Sequence, residues 1–215
     1  MNKDRVKLLQ GDFRVVGKEI PDGSVDMIFT DPPYLKEHIP LYKDLAKFAH
    51  RVLKNGRSLI CYTPHYKLNE ICKMLDSELK YNWMIVDKQA GPMILYRALG
   101  VFVKYKPLLW YIKLEDGKKY KPIQYLVDVI QSEYQGKEHH EWQQSTAEAE
   151  YLIEKLSNIG ETICDPFMGS GTTGIAALQL NRNFIGIEIE EQYHTMSEMR
   201  ITEAMKFQQL TNFTS

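Results

Sequence analysis

The stretch Val25-Asp26-Met27-Ile28-Phe29-Thr30-Asp31-Pro32-Pro33-Tyr34 constrains this chain more than any other. An apolar run of strand length stops at a carboxylate, two prolines and an aromatic ring. Such a run reads as a buried parallel strand, and open α/β sheets bind ligands beyond the carboxyl ends of their strands. The prolines fix φ and hold Asp31 and Pro32 extended. They also remove two backbone donors, so carbonyls and the Asp31 carboxylate face the space beyond the strand as acceptors. Rigid acceptors followed by Tyr34 suit a planar ligand that carries an amino group and can stack, such as an adenylated small molecule or a nucleobase. Taken alone, Asp31 to Tyr34 also fits an ordinary strand-to-turn connection.

The rest of the chain supplies a sheet for that strand. Val6 to Gln10 reads as a short strand followed by Gly11-Asp12, where Asp12 either caps the segment Phe13–Glu19 or faces a ligand. Leu41, Leu45, Phe48, Ala49, Val52 and Leu53 share one helical face, with Lys43, Lys47, Arg51 and Lys54 opposite and Asn55-Gly56 as the expected C-cap. Strands are expected at Arg57–Tyr62, Asn82–Asp87 and Pro107–Ile112, and a helix at His65–Leu79. Strand and helix alternating in this way predict a mainly parallel α/β sheet. Ile123–Ser132 is open between strand and short helix, and Lys113–Lys121 between a solvated hairpin and a phosphate contact. A helix follows from Ser145 to Ser157, and another from Glu190 to Lys206 with a frayed tail behind it.

A second stretch carries chemistry: Glu161-Thr162-Ile163-Cys164-Asp165-Pro166-Phe167-Met168-Gly169-Ser170-Gly171-Thr172-Thr173-Gly174. A strand ends at Asp165, a glycine turn follows, and a helix runs from Thr172 to Leu180. Glycines permit positive φ and a close approach of backbone to ligand. The spacing is neither that of a dinucleotide fingerprint nor that of a phosphate loop, which points to a nucleoside-like ligand without a polyphosphate. Asn183–Glu188 is the next strand, and Glu188 ends it where an acid commonly holds ribose hydroxyls.

With 215 residues, 44% hydrophobic and 26% charged, the chain has the make-up of one soluble globular domain. Its net charge of −1 excludes a global electrostatic pull toward nucleic acid, so any basic surface must be local. Cys61, Cys72 and Cys164 have neither metal-ligand nor disulfide-framework spacing, and no run approaches membrane-spanning length. His139 and His140 have no partner at metal spacing. A cytoplasmic protein without a resident metal and without a membrane segment is expected.

Asp31-Pro32-Pro33-Tyr34 resembles the catalytic tetrapeptide of the DNA methyltransferases that methylate exocyclic amines of adenine or cytosine. Asp165 to Thr173 resembles the same family's cofactor motif, D-P-F-x-G-x-G-T-T, and Glu188 its ribose-binding acid. The catalytic motif comes first here, as in the circularly permuted subgroup termed beta, and the resemblance spans about Val6 to Arg200. It implies a single Rossmann-like domain with a mostly parallel seven-stranded sheet and one antiparallel strand. Residues 1–87 would form the catalytic half, 88–140 the antiparallel strand with short target-recognition insertions, and 141–215 the cofactor half. It further implies S-adenosyl-L-methionine as cofactor, with Asp31, Pro32, Pro33 and Tyr34 as catalytic residues. Asp12, Asp31, Gln143, Ser145, Asp165, Pro166, Phe167, Gly169, Ser170, Gly171, Thr172, Thr173 and Glu188 are implied around the cofactor. DNA is the implied partner, with the target base flipped out, and Lys88, Arg97, Lys104, Lys106, Lys118 and Lys119 are candidates to contact it. A prokaryotic or phage origin goes with this resemblance.

Two departures from the family stand out. The family often reads H-P-x-Q-K-P before its cofactor motif; here His140-Glu141-Trp142-Gln143-Gln144-Ser145 places Gln144 where a lysine is frequent. Gln143 and Ser145 remain able to hydrogen-bond the cofactor carboxylate, with help from the helix N-terminus behind them. Only Lys88–Lys106 and Lys113–Lys137 are left to read bases, which is short for several base pairs. Relaxed specificity, a homodimer or a separate specificity subunit is the expectation. Aspartate as the first motif residue favours adenine N6 over cytosine N4 or RNA. A cofactor-binding subunit of low activity in a larger DNA-modifying complex is the reading from another class; against it stand the intact Asp31, Tyr34 and glycine turn.

Overall fold

The computed structural model describes residues 5–90, 92–131 and 146–212. Its strands are β1 (Val6–Gln10), β2 (Val25–Thr30), β3 (Leu53–Tyr62), β4 (Lys80–Lys88), β5 (Ile94–Tyr96), β6 (Val101–Val103), β7 (Tyr105–Ile112), β8 (Val129–Gln131), β9 (Thr162–Asp165) and β10 (Asn183–Glu188). The helices are α1 (Phe13–Val16), α2 (Leu41–Val52), α3 (Leu68–Leu75), α4 (Ala147–Leu156), α5 (Thr172–Gln179) and α6 (Glu191–Asn212). Eight strands form one sheet in the order β1-β10-β9-β2-β3-β7-β4-β8. Only β7 runs antiparallel to its neighbours β3 and β4. The seven expected strands are therefore joined by a short eighth, β8, which resolves the open reading of Ile123–Ser132 in favour of a strand.

Every residue of β2 is buried, as a strand covered on both faces requires. On one face Ile28 packs with Leu59, Tyr111 and the apolar stripe of α2 and α3, including Leu45, Phe48, Ile71 and Leu75. On the other, Met27 and Phe29 pack with Ile60, Trp110 and the inner sides of α4, α5 and α6. Val25 joins the cluster of Ile28, and the register against β3 slips between Val25 and Met27. Val25 pairs with Leu53 and Met27 with Ser58, so β3 bulges in between. Lys54 and Arg57 lie in that bulge and reach the buried Asp26 at 2.8 and 3.4 Å. The same bulge holds Gly56, at φ 76°, which is not the expected C-cap: α2 ends at Val52 and β3 begins at the next residue.

Connectivity makes the site. From β2 the chain crosses through α2, on one face, to β3; from β9 it crosses through α5, on the other face, to β10. β2 and β9 are neighbours, so their crossovers diverge and leave a crevice at their carboxyl ends, where such sheets bind ligands. N-terminal β1 lies beside C-terminal β10, from Val6↔Phe184 to Gln10↔Glu188, so the two ends of the chain complete one sheet.

Candidate active site

Asp31 is the first residue past β2, at the mouth of that crevice. Tyr34 folds back so that its hydroxyl donates to Asp31 Oδ1 at 2.5 Å, and Tyr66 donates its hydroxyl to the Tyr34 carbonyl. Among the described residues nothing donates to Asp31 Oδ2, which is left as an acceptor. Pro32 is buried; Asp31 and Pro33 keep solvent contact. Protein crowds Asp31 on its other sides, and this crowding above all pushes its carboxyl up, with the Asp87 charge adding. The Tyr34 hydroxyl and the Lys106 ammonium oppose the shift.

A polar tier stands next to Asp31. Asp87 is buried at the end of β4 and accepts from Gln89 Nε2 at 2.7 Å and from the Tyr62 hydroxyl at 3.3 Å. Lys106, its cross-strand partner on β7, holds its ammonium 5.4 Å from the centre of the Tyr62 ring. An acid closing an apolar run drew attention to Asp31, Asp165 and Glu188. The same signal is present at Asp87, which is missing from the candidates named from the sequence.

The glycine turn lies across the crevice. Asp165 is 3% exposed and accepts three hydrogen bonds: from Thr30 Oγ1 (2.7 Å) and the Phe167 N–H (3.0 Å) on Oδ1, and from Thr173 Oγ1 (2.7 Å) on Oδ2. Burial pushes its carboxyl up to about 6 against those donors, with the charge of Asp31 contributing. Pro166 is buried, and the Phe167 ring stacks obliquely on Phe13 at 5.0 Å. Met168 N–H donates to the Ile187 carbonyl, tying the turn to β10. Gly171, at φ 85°, opens α5 against α6, where a Cβ would come within 3.0 Å of Ser197. Gly169 has φ 50°, and among the described residues nothing beyond its chain neighbours lies within 4 Å of where a Cβ would stand, so that side of the turn is open. Arg200 of α6 donates to both the carbonyl and the hydroxyl of Ser170 at 2.7 Å. Nothing in the sequence marks Arg200 out; helical pairing with a distant turn leaves no local pattern.

Glu188 ends β10 beside this turn, one carboxylate oxygen accepting from the Gly169 N–H (2.8 Å) and the other from the Glu190 N–H (2.9 Å). Gly11 N–H donates to the Glu188 carbonyl and so brings Asp12 alongside. Asp12 caps α1, accepting from the Arg14 N–H at 2.8 Å and pairing with the Arg14 guanidinium at 2.5 Å. Those bonds to Arg14 hold its carboxyl below the usual range, against some desolvation.

The basic candidates divide between two ends of the sheet. Lys88, Lys104 and Lys106 stand where β4 and β7 reach the Asp31 edge, and Arg97 lies in the turn of the β5–β6 hairpin projecting from it. That hairpin exposes Ile94, Leu95, Leu99, Val101 and Phe102. Lys118 and Lys119 instead line a groove with Lys80, Tyr81, Ile112 and Tyr120 at the opposite end. The structure thus does not bring them to the crevice. Gln143 and Ser145 lie outside the described residues. Among the described residues there is no cluster of potential metal ligands and no helix long and apolar enough to cross a membrane.

A mostly parallel sheet with an acid-braced glycine turn and an acceptor array at its switch point is the layout of a Rossmann-like group-transfer enzyme. The family model described as DNA methylase, that of the N6/N4 methyltransferases, matches residues 25–199, and the chain belongs to that S-adenosylmethionine-dependent family. It is 31% identical over 225 residues to YubD of Escherichia coli (strain K12), which carries a methylase name, covering 94% of this chain and 93% of YubD. It is 28% identical over 257 residues to the DNA adenine methyltransferase YhdJ of the same organism, covering 93% and 84%. The M1.HpyAVI–SAM complex shares the fold with a TM-score of 0.69 at 24% identity, over 91% of this chain and 99% of that one.

Proposed function

We propose that this methyltransferase acts on the exocyclic N6 amine of adenine in DNA, with the base turned out of the duplex. The strongest support is the crevice itself, where the Asp31 carboxylate and a glycine turn with open space before Gly169 face one another. Aspartate at the first position of the motif, and similarity to a relative named an adenine methyltransferase, support adenine over cytosine.

The residues fit S-adenosylmethionine: an open glycine turn at the N-terminus of α5, an aromatic wall at Phe167, and Glu188 with lone pairs remaining for ribose hydroxyls. When bound, the cofactor supplies an electrophilic methyl on sulfonium. Gly169, Ser170, Gly171 and Thr172 form the floor, with Asp12 at its rim; Gln143 and Ser145, which lie outside the described residues, keep the cofactor-binding role that the family resemblance implies. Asp165, Pro166 and Thr173 shape the turn from behind. Asp31 Oδ2 and the Pro32 carbonyl accept the two amine hydrogens, which favours a nitrogen with a localised lone pair. The carboxylate also stabilises the positive charge that arrives on that nitrogen. Pro33 keeps the loop extended, and Tyr34 stacks on the base, offsetting an unstacking cost of roughly a few kcal/mol. Lys88, Arg97, Lys104 and Lys106 contact phosphates beside the site; Lys118 and Lys119 would need a separate stretch of DNA. The small hairpin argues for short recognition or for a second subunit.

The test is to incubate the protein with isotope-labelled S-adenosylmethionine and unmethylated DNA, digest to nucleosides and identify the product by mass spectrometry. Labelled N6-methyldeoxyadenosine is expected. Labelled N4-methyldeoxycytidine would overturn the base assignment, and label found only in a parallel incubation with RNA, with none in the DNA, would overturn the substrate.

A further inference from the structure

Asp165 is a puzzle on energetic grounds. Burying a carboxylate is costly unless it is paired and hydrogen-bonded. Asp165 is buried among Thr30, Thr173 and the Phe167 N–H, and among the described residues no cation acts on it. An apolar residue would close this part of the core without that cost, so the carboxylate has to be explained by what it joins. Its three donors come from three segments. Thr30 is the last residue of β2 and is followed directly by Asp31; Phe167 opens the glycine turn; Thr173 lies in the first turn of α5. Thr30 and the Phe167 N–H share one oxygen, Oδ1, at 2.7 and 3.0 Å, so neither moves without disturbing the other's partner.

We propose that Thr30 is a positioning residue which, through Asp165, couples the cofactor turn to the Asp31 loop. Phe167 and Thr173 of the cofactor turn hold the Asp165 carboxylate, and the carboxylate holds Thr30. Asp31, one residue on, is then aimed across the crevice. This rests on the reading that the turn holds S-adenosylmethionine and Asp31 holds the target amine.

Thr30→Val keeps the shape of the side chain and removes only the donor; Thr30→Ser keeps the donor. Losing a hydrogen bond to a charged acceptor should lower kcat by roughly ten- to a hundredfold in Thr30→Val, and Thr30→Ser should stay within about threefold of the parent. The dissociation constant for S-adenosylmethionine, measured by calorimetry, should change by less than about threefold in both, because Thr30 does not line the turn. The losses in Thr30→Val and Thr173→Val should combine to less than their product, since both act through one carboxylate. Thermal unfolding of each variant shows that it is folded before its kinetics are read. Parent-like turnover by folded Thr30→Val would overturn the coupling, as would fully multiplicative losses. A kcat loss in Thr30→Ser equal to that in Thr30→Val would overturn it too, because shape and not the donor would then matter. If the parent protein itself transfers no methyl to DNA, the functional reading fails, which is distinct from a parent that works and a Thr30→Val variant that works equally well.

Discussion

Asp31 and Asp165 each close a buried strand and precede a proline, yet the fold treats them in opposite ways. Asp31 opens onto the crevice with one described donor, Tyr34, and a free oxygen; Asp165 is sealed with three donors. The residues after each proline decide the outcome. Pro33-Tyr34 prolongs an extended segment that carries the carboxylate outward, whereas Phe167 to Gly171 turns back into α5 and folds over it. A local motif therefore names a strand end, and its downstream neighbours determine whether its acid is left open to the crevice or becomes a brace.

Substitution at Asp165 gives the largest expected effect on the fold. Asp165→Ala leaves two buried hydroxyls and a backbone N–H to find other partners, which should cost about 2–4 kcal/mol in urea unfolding. Asp31→Ala should leave stability within about 1 kcal/mol, because it removes a partly solvated carboxylate whose charge the fold already disfavours. Equal destabilisation by the two would erase the contrast.

Titration separates them as well. The pKa of Asp165 is raised from 3.8 to about 6, so the folded state binds the proton more tightly than the unfolded chain does. Its contribution is favourable below pH 3.8 and is lost as pH rises to about 6, by about 3 kcal/mol in all. The stability difference between the parent and Asp165→Asn should fall across that window and stay level above it. A difference that rises across it would contradict the burial account. For Asp31, raised by crowding, activity should fail as pH drops through a value above the ordinary carboxylate range.

Tyr34→Phe is the mildest change. It keeps the ring and removes one donor to Asp31, which should cost about 0.5–1.5 kcal/mol in kcat/KM. The acid limb should move upward, since the hydroxyl is among the groups that hold the Asp31 carboxyl down. A downward movement would mean that Tyr34 does not bond Asp31 in the working enzyme.

Much of this was legible in the sequence because it is encoded locally. The strands at Val25–Thr30, Asn183–Glu188 and through Trp110, the α2 stripe and the glycine turn all follow from runs, periods and turn residues, whereas the antiparallel direction of the Trp110 strand follows from the family resemblance alone. What escaped depends on pairing at a distance. The bulge that draws Lys54 and Arg57 onto Asp26 displaces the expected cap at Asn55-Gly56, and only strand register reveals it. The groups around the site that were missed, Thr30, Asp87, Tyr66 and Arg200, are brought there by sheet order and helix packing. The basic loops looked alike in sequence, yet Lys88 and Lys106 reach the crevice edge while Lys118 and Lys119 lie at the other end, because β7 reverses direction between them.

The central claim is that Asp31 does chemistry while the glycine turn binds the cofactor. One paired measurement tests it: S-adenosylmethionine affinity by calorimetry and methyl transfer to DNA, for the parent and for Asp31→Ala. The prediction is affinity within about threefold and a turnover lower by roughly 10²–10³ or more, as expected for losing a group that stabilises developing charge. Transfer by Asp31→Ala at the parent rate, or loss of cofactor binding in step with turnover, would contradict it.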